Sequence, residues 1–326
     1  MFTPVRLLIG LLLTVLLFGA GFVLFHQGIY GWTVFVLFPV FLGGIASFTA
    51  QPATPAAAAG WGALAVTVAL FSVLLTGSEG LICIAMALPL AAPLGALGGL
   101  LVYWMRSSRL ARPGATVLLL LPTASVAWDV KAPPTAFEVR SAIEIAATPE
   151  QVWKHVVTFS ELPEPREWFF RAGLAYPKRA RIEGSGPGAT RYCDFSTGPF
   201  VEPVEVWDEP RLLRFRVTEN PAPLNEWSPY GQILPRHLHG YFISRQGQFR
   251  LTQLANNRTL LEGASVYQHG LWPAEYWRWW SDAIIHRIHM RVLTHIRTLA
   301  ESDAVNSKGT PARSARSTAL PAQPTK

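Results

Sequence analysis

PAEYWRWWSDAIIHRIHMRVLTHIRTLAE, residues 273–301, is the stretch that decides the fold. It opens with a proline suited to the first helical turn and contains no glycine, so one unbroken helix is expected. Trp277, Trp280, Ile284, Ile288, Val292, Ile296 and Leu299 recur at steps of three or four and share one face. Arg278, Asp282, His286, His289 and Arg297 fall mostly on the other side. At ~1.5 Å per residue the helix is roughly 40 Å long, enough to lie across a whole sheet. Ser281 interrupts the apolar stripe, where a small polar residue leaves a gap. Wide aromatics at the start of such a helix suggest a lid over a curved sheet.

The residues before it supply that sheet. Residues 137–145 alternate, with Phe137, Val139, Ser141, Ile143 and Ile145 on one side and Glu138, Arg140 and Glu144 on the other, as in a half-buried strand. Thr148-Pro149-Glu150-Gln151 then starts a helix with an N-cap, a proline and a glutamine three residues after the cap. That helix runs to about residue 159, and 167–172 reads as a second short helical piece. Residues 179–183 and 189–195 flank the turn sequence GSGPG, and 201–207 and 212–218 flank DEPR. Residues 219–239, rich in proline and aromatics, read as an excursion over the sheet or the rim of a cavity. Residues 241–254 and 259–268 pair around ANNR, and the long helix follows.

This order is strand, helix, short helix, about six antiparallel strands and one long helix. It resembles the START-like or SRPBCC superfamily, the polyketide cyclase/dehydrase and lipid-transport group. The resemblance rests on IEIAATPEQVWKHVVTFSELPEP (143–165), ARIEGSGPGATRYCDFSTGPFVEPVEVWDEPRLLRFRV (180–217), TLLEGASVYQ (259–268) and the closing helix. It covers residues 136–302. The resemblance implies an α+β helix-grip fold, a bent antiparallel sheet gripping the last helix around an apolar cavity. A linker is expected at 131–135 and a disordered tail at 303–326, rich in Ser, Ala, Pro and basic residues.

Composition divides the chain in two. Half of the 326 residues are hydrophobic and only 15% are charged, well below the quarter or so of a water-soluble protein, so part of the chain belongs in lipid. Residues 1–128 carry only Arg6, Glu79, Arg106, Arg109 and Arg112. The net charge of +7 divides as +3 before Asp129 and +4 after it, without a basic–aromatic face, which argues against nucleic acid as a partner. The first half, residues 1–130, reads as an all-α transmembrane bundle with spans at 5–25, 33–50, 58–75 and 81–104. Trp32, Trp61, Tyr103 and Trp104 stand near span ends, where interfacial aromatics belong. Arg6 and the Arg106–Arg109–Arg112 group mark both ends of this set as cytoplasmic. A fifth span at 115–128, short and with Pro122 inside it, decides the side of the second half. Taken as crossing, it places that half outside the cytoplasmic membrane of what is read as a bacterium. Glu79 reads as a loop residue at a helix start; with no second intramembrane acid or base, no transport relay is built.

The candidate site residues come from strand geometry. Arg191, Cys193 and Phe195 share a strand face, and Arg191 suits a ligand head group or an ion pair with Glu202 or Glu262. On an unbulged strand Glu202 and Glu205 point to opposite faces, which argues against a paired acid and base. Tyr230, Tyr267, Trp277 and Ser281 combine an apolar body or small size with one polar atom, which is how an apolar cavity orients a ligand. With Arg191 and Glu202 they are the ligand-binding candidates; no catalytic residue is assigned. His237 and His239 have strand spacing for a metal, with His269 as third ligand, but no carboxylate or cysteine accompanies them, so no metal and no cofactor is expected. His286 and His289 read as a solvated face, and Cys193 as a small core residue.

The expected function is a membrane-anchored domain that binds a lipid or other hydrophobic small molecule. One alternative is a cyclase/dehydrase or aromatase-type enzyme using Glu202 with Tyr267 or His239. The other is a structural or regulatory membrane protein whose cavity is filled by its own aromatics.

Overall fold

The computed structural model describes residues 4–107, 121, 124–131, 133–233, 235, 238 and 240–309. Four helices long and apolar enough to cross a membrane open the chain: α1 (Pro4–Gln27), α2 (Thr33–Ala50, its first turn π-helical), α3 (Pro55–Leu75) and α4 (Leu81–Ser107). In a bilayer there is no hydrophobic force between helices, so helices of this kind associate through close backbone approach. Small residues supply it here, since a Cβ on Gly43 of α2 or Gly62 of α3 would run into the carbonyl of Gly95 in α4. Helix α5 (124–131) follows. Most of the run 115–128 lies outside the described residues.

The C-terminal half builds a seven-stranded antiparallel sheet. Its strands are β1 (Thr135–Ile145), β2 (Pro177–Glu183), β3 (Thr190–Phe195), β4 (Gly198–Asp208), β5 (Leu212–Arg216), β8 (Phe242–Leu254) and β9 (Arg258–His269). They lie in the order β1-β9-β8-β5-β4-β3-β2. Helix α6 (Pro149–Val157) starts with the expected capping box, the Gln151 side chain accepting from the Thr148 backbone at 3.0 Å. The short helix α7 is Trp168–Arg171. The stretch 219–239 is less irregular than its prolines suggest, because a small hairpin of β6 (Glu226–Ser228) and β7 (Gly231–Ile233) sits inside it.

Helix α8 (Ala274–Gly309) crosses the sheet, and Val292, Leu293, Ile296 and Ala300 meet Ile145, Val152, Leu213 and Leu261 in the main core. It outruns the expected boundary: residues 303–309 are helical where a disordered tail was expected. Glu301 accepts from the Ala146 backbone at 2.9 Å and Asp303 pairs with His155 at 2.9 Å, so the helix is tied to the domain at residues 301–303. Residues 310–326 lie outside the described residues.

The two halves meet at one end of the helical bundle. There α1 and α3 finish and α2 and α4 begin. Asp129 of α5 accepts from the Trp32 and Thr33 backbones at 2.8 and 2.9 Å, a carboxylate cap on the first turn of α2. Glu226 of β6, fully buried, accepts from the Ile82 and Cys83 backbones at 3.2 and 2.9 Å and caps α4 in the same way. Gly31 and Gly80 make these approaches possible, since a Cβ at either would strike the capping carboxylate. Tyr241 donates to the Gly28 carbonyl and Tyr276 to that of Met86. At the opposite end, Arg106 reaches Gln51 and Tyr103 reaches the Ala53 carbonyl.

Candidate functional site

A cavity of about 950 Å³ runs between the sheet and α8 and continues among the membrane-type helices. Its wall in the C-terminal half includes Phe215, Phe249, Trp280, Ile284 and Ile288. Its wall in the N-terminal half includes Phe18, Phe22, Phe38, Val66 and Ile84. Phe35 of α2 and Trp277 of α8 join the two, their rings 4.7 Å apart.

Arg191 and Glu202 lie opposite each other on β3 and β4 and form a buried ion pair in the wall. The choice left open between Glu202 and Glu262 therefore falls to Glu202. The guanidinium also lies 5.2–5.6 Å from the ring centres of Phe159, Phe215 and Phe249. That placement uses the negative faces of the rings where water is excluded. Burial pushes the Glu202 carboxyl up from the usual carboxylate range, with Arg191 opposing. Burial works against charge on Arg191, and Glu202 and Cys193 together outweigh it. Glu205, on the outer face of β4, is exposed. Cys193 packs in the core, and burial lifts its thiol to about 12, which makes it inert as a nucleophile at neutral pH.

The other candidates separate. Trp277 and Ser281 line the cavity, and the Ser281 hydroxyl donates to the Trp277 carbonyl at 2.9 Å, so its small side chain leaves space. Tyr267 is buried outside the cavity wall: it stacks on Phe242 and donates to Asp282 at 2.6 Å. Burial and that bond push its phenol up, and its hydroxyl proton is committed to Asp282. Tyr230 is 71% exposed and donates to the Leu75 carbonyl at 2.7 Å, so it belongs to the dock between the halves. His237 and His239 lie outside the described residues. His269 is buried against Phe137, and burial holds its imidazole down to about 4.

His289 corrects the reading of a solvated helix face. Its Nε2 is 2.8 Å from Ser265 Oγ and its Nδ1 is 3.2 Å from Ser141 Oγ, and both His289 and Ser265 line the cavity. Burial, reinforced by His286, lowers its pKa to about 4. Neither serine stood out in the sequence, because their facing depends on the β1–β9 register, in which Ser141 meets Gly263 and Val139 meets Ser265.

Among the proteins with solved structures, ZhuI aromatase/cyclase from Streptomyces sp. R1128 is similar at 15% identity, covering 54% of this chain and 100% of its own, with a TM-score of 0.35. Norcoclaurine synthase from Thalictrum flavum is similar at 11% identity, covering 52% and 96%, with a TM-score of 0.33. A protein from Nitrosospira multiformis is similar at 16% identity, covering 52% and 99%, with a TM-score of 0.34. None of the curated proteins matches the chain. Residues 136–263 match the family described as polyketide cyclase / dehydrase and lipid transport. Behind four apolar helices, then, the chain carries a polyketide cyclase/dehydrase domain of START-like, helix-grip architecture.

Proposed function

We propose that this is a membrane-anchored START-like protein that takes a lipid or other hydrophobic small molecule from the bilayer and holds it in the cavity shared by its two halves. The observation that carries this reading is the double wall. A cavity enclosed within the sheet and α8 alone would serve any apolar solute, whereas one that continues among the membrane-type helices suits a ligand already dissolved in lipid. Anchoring beside that reservoir raises the local ligand concentration without any new contact. Arg191 and Glu202 offer the polar group that orients the ligand, and Trp277 and the gap at Ser281 shape its apolar body. The reading in which the protein's own aromatics fill the cavity gains no support from a space of this size. An enzyme of the cyclase/dehydrase type is the second reading, and the hydrogen-bonded line through His289 favours it.

Native mass spectrometry of the full chain released from lipid nanodiscs tests the binding. A discrete apolar adduct is expected in the wild type and a lower occupancy in Ser281→Trp, which fills the gap. A chain that stays free of adduct after incubation with membrane lipid extract overturns the reading.

The same dock favours one side of the membrane. Arg6 opens α1 and Arg106 closes α4 at the end of the bundle away from the C-terminal half, and positive residues face the cytoplasm. Arg106 stands at one end of the bundle and Asp129 at the other, which supports the reading of a fifth crossing between them. The domain is then extracytoplasmic. A cysteine placed at exposed position 253 is expected to react with a membrane-impermeant maleimide added to intact spheroplasts. Reaction only after lysis would put the domain in the cytoplasm.

A further inference from the structure

We propose that His286, Ser141, His289 and Ser265 form a proton relay from solvent to the cavity, which performs acid–base chemistry on a hydrophobic ligand bearing an acidic C–H or O–H group. The proposal rests on the binding reading above, because the relay needs a ligand beside Ser265. Four side chains from three elements stand in line. His286, exposed on α8, has Nδ1 2.8 Å from the hydroxyl of buried Ser141 on β1. Ser141 lies 3.2 Å from His289 Nδ1, and His289 Nε2 lies 2.8 Å from Ser265 on β9. The inner two members face the cavity.

Satisfying a buried imidazole needs only two partners, and Ser141 with Ser265 already provide them. The third link, from Ser141 to an exposed histidine, adds nothing to that satisfaction, but it completes a route to water. One self-consistent set of donors carries a proton outward along the line. Ser265 donates to His289 Nε2, the proton on His289 Nδ1 points to Ser141, and Ser141 donates to His286 Nδ1. When the Ser265 oxygen accepts a ligand proton, its own proton passes to His289, that of His289 Nδ1 to Ser141, and that of Ser141 to His286. The imidazolium formed at the surface loses its Nε2 proton to water, and the ligand keeps the electron pair. The reverse sequence protonates a ligand. A low His289 pKa keeps the imidazole neutral, with one donor and one acceptor nitrogen, as this transfer demands.

The reaction that tests it needs no knowledge of the natural ligand. In 5-nitrobenzisoxazole a base removes the ring C–H proton, the N–O bond breaks, and a yellow 2-cyano-4-nitrophenolate is released. The full chain in nanodiscs is assayed for this opening, and quenching of the cavity tryptophans reports probe binding separately. Catalysis is expected in the wild type, with a loss on the order of 10²-fold in His289→Gln. Ser141→Ala and the surface variant His286→Asn, which does not disturb the core, are expected to lose several-fold. If no form quenches, the cavity reading itself fails. Quenching in every form with no catalysis in the wild type, or with equal rates in the wild type, His289→Gln and His286→Asn, overturns the relay and leaves the binding reading standing.

Discussion

Replacing Arg191 by methionine is expected to destabilise the protein by about 3–5 kcal/mol, while the double variant Arg191→Met/Glu202→Leu recovers most of that loss. The asymmetry follows from where the pair sits. Arg191 is 2% exposed and Glu202 6%, on directly opposed positions of β3 and β4, so neither ion has water to fall back on. Their mutual attraction and the three phenyl rings around the guanidinium offset the cost of taking both out of solvent. Removing one partner keeps the full desolvation cost of the other, whereas removing both replaces charge with apolar contact against an aromatic wall. Urea unfolding of the full chain in nanodiscs, followed by near-UV circular dichroism, measures the difference. Equal losses in the single and double variants would mean that the pair adds net stability instead of merely cancelling its own cost. Among the described residues the Nε of Arg191 is buried with no hydrogen-bond partner, which leaves a donor in the cavity wall.

The sheet and its helix were legible because their signals are local. Alternation fixed β1, the capping box fixed the start of α6, and a single apolar stripe fixed α8. What the sequence left unread depends on contacts between distant segments. Glu226 lies in a proline-rich run that reads as a rim, and the amides it caps are those of residues 82 and 83, in the other half of the chain. Tyr230 reads as a pocket aromatic for the same reason, although its partner is a carbonyl of the bundle. His289 reads as part of a solvated face because a helix on a flat sheet buries one stripe. A sheet that grips its helix covers more of the circumference, and β1 and β9 reach round to the polar residues from the far side. The cavity shows the same limit: each half displays its own apolar face, and only the dock makes those faces one space.

Lowering the pH from 6.5 to about 4 is expected to cost the wild type about 3 kcal/mol more stability than it costs His289→Gln. The sign follows from proton counts. In the unfolded chain this histidine binds a proton near pH 6.5, while in the folded protein burial and the neighbouring His286 hold it neutral down to about 4. Between those values the unfolded state carries more protons than the folded one, so stability falls as pH falls. Above pH 6.5 both states are neutral and the contribution is whole; below about 4 both are protonated and the slope vanishes. His269, also held down to about 4 by burial, acts in the same direction, and the raised Glu202 carboxyl acts in the opposite one. Both are unchanged in the variant, so the difference between the two proteins isolates His289. Urea midpoints measured across this pH range supply the comparison. Parallel curves would mean that the folded protein lets His289 titrate as freely as the unfolded chain does. The relay requires the reverse, because a His289 protonated on both nitrogens has no acceptor left for the Ser265 proton.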